Sequence, residues 1–439
     1  MKKALFVSAA VGLGLSVILT ACGTNTAANK DTGNSSGGSS ASGKQVNLTF
    51  FWWGNTTRDK NTEKAIADYE KLHPNVHITP EFDGSFSSYW QKLTTMIAGG
   101  DPPDIMQQDY DYINEYASRG ALLDMSNLGI NMSNISSNVL SDGKINGKLY
   151  GIPNSLNAYA LFYNPTLMKN AGIQIDSNTR WTWTQYAKVI NQIHAKLGIY
   201  GADDPEDYQH FAVWARQAGQ SLYSSSQQTV GYKTSTMENY FNYWAQLRQT
   251  KAVPDGATML AHKMGKSTDL FDTGKDASLI YWCNLYGALG SETSQPYQMM
   301  LPPYAPGQNE GLYVKPSQFW SISAQTKHPK QAAEFVNWLL NSVQANKDLG
   351  LDRGIPVSSV VRSSMEKTAT PQEKVEFQYM NKVNSVATTP LGQPSPPASD
   401  QILSDFTTTI SKLTYNQATP QQAATQFVQQ ANQALSQGQ

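Results

Sequence analysis

The chain has 439 residues, with 33 basic and 34 acidic side chains, so it lacks the strongly basic footprint of a nucleic-acid binder. Its length is enough for two lobes, each with a core of its own. Its two cysteines, Cys22 and Cys283, lie in very different surroundings.

Met1-Lys2-Lys3 precedes an apolar run from Ala4 to Ala21, the pattern of a secretory signal. The run approaches membrane-spanning length, so its end decides the reading. Leu19-Thr20-Ala21-Cys22 resembles the lipobox of bacterial lipoproteins, in which a peptidase cuts before the cysteine and the thiol carries a diacylglycerol. Two acyl chains suffice for stable anchoring. Residues 1–21 are therefore predicted as a signal peptide and Cys22 as a lipidation site. Residues 22–44, mostly Gly, Ser, Thr, Asn and Ala, are read as a flexible lipidated tether. Without Lys2 and Lys3 the balance is 31 basic to 34 acidic, a net charge near −3. Cys283 then has no partner, and the folded body must be held by its core alone. It sits in the apolar stretch Leu279-Ile280-Tyr281-Trp282-Cys283, which suits a small buried residue better than a nucleophile.

The body begins with Val46 to Trp53, which alternates and then turns wholly apolar, as a buried strand does. Asn61 to Leu72 places Ile66, Tyr69 and Leu72 on one helical face, and Pro74 stops it. Val76, Ile78 and Phe82 line one side of a second strand. Ser85 to Ala98 reads as a helix with Phe86, Tyr89, Leu93 and Met96 at helical spacing, ended by Gly99-Gly100. A third strand opens at Pro103-Asp104-Ile105-Met106, and Tyr110 to Arg119 reads as a helix. This alternation predicts a mostly parallel sheet covered by helices. Ligands of such sheets sit beyond the carboxyl ends of the strands, where Trp53-Gly54-Asn55, Phe82-Asp83-Gly84 and Gln108-Asp109-Tyr110 fall. Trp181 to Gln249 reads as helical and rich in aromatics. Pro329 to Ser342 is an amphipathic helix, and further helices begin at Pro371 and Pro420, each after a Thr cap. Pro390 to Pro397 is a stiff polar bridge.

Several motifs fail on context. Gly33-Asn34-Ser35-Ser36-Gly37 matches a serine-hydrolase pattern, and Gly38 to Lys44 comes close to a P-loop, but both lie in the tether. The six histidines lack metal spacing, since Pro74 breaks any helix joining His73 to His77. Asp109-Tyr110-Asp111 starts like a calcium loop but lacks its glycine. No cofactor and no metal are expected. A carboxylate pair for sugar chemistry stays open among Glu81, Asp83, Asp109 and Asp111.

The 10 tryptophans and 22 tyrosines are the strongest chemical signal. A flat apolar ring matches the C–H-rich face of a pyranose, with Asn, Asp and Arg at the rim for hydroxyls. Core packing is the reading for Trp52, while Trp53 and Trp282 stand evenly between core and ligand.

Beyond these patterns the chain resembles the extracellular sugar-binding lipoproteins of ABC importers, the family-1 solute-binding proteins. The resemblance lies in Tyr69 to Val76, Leu93 to Met106 with Ala98-Gly99-Gly100-Asp101-Pro102-Pro103-Asp104, and Gly147 to Pro153 with Leu161 to Asn164. It continues in Phe271 to Tyr281, Lys330 to Leu340 and Arg353 to Val357. It implies a two-lobed α/β fold of the periplasmic-binding-protein type, with several interlobe crossings and a ligand cleft between lobes. The crossings are placed near Pro153, Ser317 and Gly354, with lobe one at 45–153 plus 318–354 and lobe two at 154–317 plus 355–439. It also implies a non-catalytic receptor, a monomer, that delivers an oligosaccharide to permease subunits from the outer face of the cell membrane. Carried over by position, lobe one offers Trp53, Asn55, Asp83, Asp109 and Tyr110. Lobe two offers Tyr159, Trp214, Trp282, Asn284 and Tyr286, while Phe319, Trp320 and Arg353 lie near the crossings. Trp52-Trp53-Gly54-Asn55 and Pro394 to Ser399 look closest to receptors for pectin-derived, rhamnogalacturonan-type sugars, where Arg58 or Arg353 would pair with a uronate. Both arginines also read as ordinary surface or hinge residues. A surface-anchored glycosidase or lyase and a receptor for a peptide or other solute are the competing readings.

Overall fold

The computed structural model describes residues 44–438 apart from 178, 263–268, 293 and 388. The expected signal, Cys22 and nearly all of the tether lie outside the described residues.

The first strand, β1 (Val46–Trp53), is apolar on both faces because both are covered: Leu48, Phe50, Phe51 and Trp52 are all buried. It runs parallel to β2 (Val76–Asp83), in register from Val46 opposite Val76 to Trp53 opposite Asp83, and to β3 (Ile105–Gln108) on its other side. Helices α1 (Thr56–Leu72) and α2 (Phe86–Ala98) are the crossovers. Helix α1 starts five residues before the expected Asn61 because the Asn55 side chain accepts from the Arg58 N–H and caps it. Leu72 does not share the buried face of Ile66 and Tyr69: it ends the helix and is 66 % exposed. Phe82 and Phe86, expected on apolar faces, are 43 % and 42 % exposed at the strand and helix ends. Helix α3 (Ile113–Ser118) is shorter than expected, because the Asp109 carboxylate accepts from the Asp111 N–H and holds residues 109–112 in a turn.

Strands β4 (Ile152–Pro153), β5 (Ser155–Asn157) and β6 (Tyr159–Tyr163) lead out of this layer. The helices expected in Trp181 to Gln249 are α4 (Trp183–Leu197), α5 (Tyr208–Gln217) and α6 (Thr234–Gln249). Helix α4 opens on a capping box of Thr182 and Gln185. Strands β7 (Ser278–Trp282) and β8 (Gln298–Met300) flank β6, both antiparallel to it. The chain returns through β9 (Lys315–Pro316) to β10 (Phe319–Ile322), then α7 (Pro329–Asn341) and β11 (Ile355–Pro356). It ends in α8 (Pro371–Val386), α9 (Ser399–Thr414) and α10 (Pro420–Gln437). Thr370 and Thr419 close capping boxes at α8 and α10, each with Pro in the first turn.

Among the described residues four sheets result, the smallest a two-stranded pairing of Lys144–Ile145 with Lys148–Leu149. Lobe one holds β2-β1-β3-β10-β4, which is parallel only in its first three strands; β10 is antiparallel to both neighbours because it arrives from the other lobe. Lobe two holds β8-β6-β7. The third sheet, β9-β5-β11, gathers the three stretches at which the chain passes between the lobes. Where they meet, Gly354 has φ +109, and a Cβ there would stand 2.5 Å from the Leu156 carbonyl oxygen and 2.7 Å from the Ser317 hydroxyl. Only glycine fits both demands.

Residues 389–398 form a fourth link. Arg216 of lobe two donates to the Thr389 and Pro390 carbonyls, and Gln227 to that of Pro394. On lobe one the Tyr110 hydroxyl donates to the Gln393 carbonyl, and the Ser395 hydroxyl donates to the Asp111 carboxylate at 2.6 Å.

Candidate functional site

Between the lobes lies a cleft of about 960 Å³, at the upper end of the range for ligand sites. A second cavity of about 980 Å³ is lined from residues 133–142, from Leu156, Ile355 and Val357, and from α8. The interlobe cleft is the candidate site because it collects the residues just beyond β1, β2 and β3: Trp53, Gly54, Asn55, Gly84 and Asp109.

Its two walls differ. Trp53, Phe86 and Tyr112 form the lobe-one wall. Tyr112 stacks on Trp90 at 3.9 Å and 4°, and Trp53 meets Phe86 and Tyr89 edge-on at 5.2 and 5.0 Å. Each ring is braced by another, which fixes its orientation before any ligand arrives. Trp282, Tyr281 and Asp207 form the lobe-two wall. Trp282 stacks on the buried Tyr159 at 3.9 Å, and the Tyr159 hydroxyl donates to the Asp207 carboxylate. Asp207 also caps α5 through the Gln209 N–H. Burial pushes its carboxyl above the usual range, against the hydrogen bond from Tyr159.

The crossing strands supply Asn157, Lys315 and Ser317, and α9 adds Leu403, Ser404, Thr407 and Thr408. Lys315 is buried, 3.6 Å from the Asp109 carboxylate and with its ammonium 4.9 Å from the Trp282 ring centre. Burial opposes its charge, but Asp109, Asp111 and Asp207 outweigh burial and hold the ammonium above its ordinary value. Asp111 accepts from the Gln209 amide at 2.6 and 2.7 Å across the cleft. Burial and the neighbouring Asp109 push its carboxyl up to about 6.

Of the residues carried over by position, Trp53, Asn55, Asp109 and Trp282 line this cleft. The others are committed elsewhere. Asp83 accepts from the Ser85 N–H and the Ser88 hydroxyl at the start of α2. Tyr110 holds residues 392–393, and Tyr159 stands behind Trp282. Trp214 packs against Trp183 and Tyr243, and Tyr286 against Tyr297. Asn284 bonds Asn157 and the Asp352 carbonyl at the crossings. Phe319 and Trp320 are buried in β10. Arg353 is buried on Trp320 and donates to the Gln107 side chain at 2.9 Å. Arg58 does line the cleft, but its guanidinium is paired with Asp352. Burial disfavours the Asp352 carboxylate, yet the Arg58 and Arg353 charges outweigh burial and hold it below the usual range. Cys283 is buried and donates to the Asn157 side chain at 2.9 Å; burial raises its thiol. Among the described residues no group of His, Cys, Asp and Glu is arranged to hold a metal ion.

Sequence reading missed Tyr112, Phe86, Asp207, Lys315 and α9. Asp207 had a usable signal, an acidic residue capping an aromatic helix; Lys315 had none, since only the crossing sheet brings it under Trp282.

Two α/β lobes, three strand crossings and a cleft at strand ends define a two-lobed binding protein of the periplasmic type. The sequence matches the bacterial extracellular solute-binding protein family over residues 64–378. It is 25% identical over 395 residues to a multiple sugar-binding protein of Streptococcus mutans, covering 84% of this chain and 85% of that one. Among solved structures it is similar to an extracellular solute-binding protein family 1 from Alicyclobacillus acidocaldarius, at 44% identity and TM-score 0.67, covering 90% and 99% of the two chains. An oligogalacturonide-binding protein of Yersinia enterocolitica, solved with saturated digalacturonic acid, shares the fold at TM-score 0.80 and 24% identity, covering 90% of this chain and 100% of that one. The chain belongs to the extracellular solute-binding proteins, family 1. It is accordingly an extracytoplasmic binding protein and not an enzyme.

Proposed function

We propose that this protein is the receptor of an ABC importer, capturing an oligosaccharide between its lobes and delivering it to the permease. The observation that carries this reading is the cleft itself: braced aromatic rings on both walls, with amide, hydroxyl and carboxylate groups between them. Rings hold sugar faces and the polar groups fix hydroxyls. A ligand touching both walls favours the closed form by its contacts to each lobe. Isothermal calorimetry and thermal shift against a panel of oligosaccharides test the reading. Binding by at least one series is expected, and no heat or shift with any sugar would refute it.

We propose lobe limits of 45–153 with 318–354 and 154–317 with 355–439, and a receptor that works as a monomer. Anchoring through a diacylated Cys22 would keep it beside its permease while the tether lets it swing. Cys22→Ala should move the protein from the membrane fraction to the medium. A uronate-bearing ligand is the finer version of the reading: of its proposed partners, Arg58 is already paired with Asp352, while Arg353, buried away from the cleft lining, gives its Nε to Gln107 and keeps both terminal nitrogens without a hydrogen-bond partner among the described residues.

A further inference from the structure

We infer that the cavity behind the crossing sheet is a second ligand site, for a small organic ammonium that pairs with Asp142, and that its occupant assists closure of the cleft. The site stands without the receptor reading; the coupling rests on it.

The crossing sheet, β9-β5-β11, is the partition between the two large cavities. Neighbouring residues of an extended chain point to opposite faces. Asn157 and Lys315 line the cleft, while Leu156 and Val314, the residues just before them, line the rear cavity of about 980 Å³. Ile355 and Val357 extend this apolar floor. The rear walls belong to different lobes. The Gly143 carbonyl, beside Asp142, accepts from the Tyr150 and Gly151 N–H groups of lobe one. On α8, the Tyr379 hydroxyl donates to the Tyr159 carbonyl of lobe two, and the Met380 sulfur accepts from the Cys283 thiol at 3.6 Å.

Asp142 gives the cavity its chemistry. It caps the C-terminus of the short helix Ser137–Ser141, lines the rear cavity and is only 8 % exposed. Burial acts on its carboxyl alone, with no hydrogen bond or charge from a described residue, and pushes it up to about 7. A buried carboxyl without a partner is costly, and a donor entering from the cavity relieves the cost. The end of a helix at which it stands also favours positive charge. The other ionisable lining residues, Arg362 and Glu366, bring opposite charges one turn apart on the helix Ser359–Thr368, and Arg362 donates to the Pro356 carbonyl at 3.1 Å. Tyr110, which feels the Asp142 charge, gives its hydroxyl to the carbonyls of residues 392 and 393. One unpaired acid above an apolar floor fits an ammonium on a hydrocarbon body.

Lobes that pivot on the crossing sheet open the rear as the front closes. Here the front is bridged by the Gln209 amide on Asp111, so the rear cavity has the width of approached lobes. An occupant fitted to that width favours the approached form and, by linkage, raises affinity for sugar.

The experiment is calorimetry on the purified protein with hexylamine, diaminohexane and cyclohexylmethylamine, each beside the alcohol of the same shape. At least one amine should bind, about tenfold or more tighter than its alcohol. Asp142→Asn, close in shape and uncharged, should remove that preference and leave sugar affinity without amine unchanged. Amine affinity should rise from about pH 6 to about pH 8, as Asp142 ionises while the amine stays protonated. With amine saturating, an oligosaccharide that binds the cleft should bind about threefold or more tighter. No amine binding, equal binding of the alcohols, or an Asp142→Asn protein that is folded by circular dichroism and keeps the preference would overturn the site. Amine binding that leaves sugar affinity unchanged or lowers it would overturn the coupling. Amine binding with silence from every sugar would refute the receptor reading and leave the site standing.

Discussion

The two walls of the cleft are built from the same residue types and work differently. On lobe one, Trp53, Phe86 and Tyr112 are braced by Tyr89 and Trp90, ring against ring, with no charged group in the stack. On lobe two, Trp282 is braced by Tyr159, which is itself tied to a carboxylate, and the indole carries an ammonium above it. Under the proposed function, the first wall would be an apolar platform that accepts a sugar face in many rotations about the stacking axis. The second has fixed donors and acceptors that accept few. Affinity and orientation would then be supplied from opposite sides, and a ligand would gain its full free energy only when both lobes reach it. Closure then depends on ligand through ordinary differential binding.

The largest effect should come from the platform. Trp53→Ala is expected to cost about 2–3 kcal/mol of binding, as buried aromatic anchors do, or about 30- to 150-fold in Kd by calorimetry. Trp53→Phe should recover most of it. A loss below threefold for Trp53→Ala would break the comparison, since lobe one would then not supply the affinity.

The second effect lies on the other wall. Tyr159→Phe keeps the ring under Trp282 but removes the donor to Asp207. A buried acceptor left without its partner costs about 1–3 kcal/mol, which should appear as a lower urea midpoint. Affinity should fall only a few-fold, with discrimination between epimeric sugars falling further. Equal losses for all sugars would show that Tyr159 acts on stacking and not on orientation.

The platform side was partly legible in the sequence and the other was not, for a physical reason. In lobe one, strand, helix and strand follow within sixty residues, so periodicity alone brings Trp53, Asn55 and Asp109 to one rim. Core packing was also correctly read for Trp52, whose indole N–H donates to Asp59 at 2.9 Å. In lobe two, the wall joins residues from Asp207, Trp282 and Lys315, separated by more than a hundred positions from first to last. No local pattern marks such a set. The aromatics carried over to lobe two by position, Trp214 and Tyr286, are packed among other rings, because aromatic residues fill cores as readily as sites. Asn284 and Arg353 were drawn toward the site by proximity to the crossings; Asn284 is spent bonding Asn157 and the Asp352 carbonyl there, and Arg353 is buried on Trp320 with its Nε given to Gln107 of β3.

A third effect separates lobe two's interior from its wall. Asp203 and Asp276 are buried behind the β7 strand, and both Asp276 carboxylate oxygens lack hydrogen-bond partners among the described residues. Burial pushes the Asp203 carboxyl up to about 7, and burial with the neighbouring Asp203 raises Asp276 well above the carboxylate range. Groups whose folded pKa is raised stabilise fully below their unfolded pKa, near 4 for Asp, and lose that contribution as pH rises through the folded value. Thermal midpoint should therefore fall between pH 5 and 8, and Asp203→Asn should flatten the slope. A midpoint that rises over that window would mean the pair is held ionised by a counter-charge.

The smallest effect tests how the second wall is supported. Cys283 follows Trp282 directly, and its thiol donates to the Asn157 side chain on the crossing strand that lines the cleft. If the wall stands by the Tyr159 stack and the Asp207 tie, this bond is dispensable. Cys283→Ala removes a weak donor and a small apolar volume, which should cost about 1 kcal/mol of stability and leave Kd within threefold. The thiol itself should stay unreactive toward an aromatic disulfide reagent until the chain is unfolded, because it is buried and its thiolate is disfavoured. Saccharide should slow even the residual labelling, since opening of this segment requires the lobes to part from the ligand. A tenfold loss of affinity in Cys283→Ala would instead make the Asn157 contact part of the wall. The orientation of the sugar would then be set at the crossings as well as at Asp207 and Lys315.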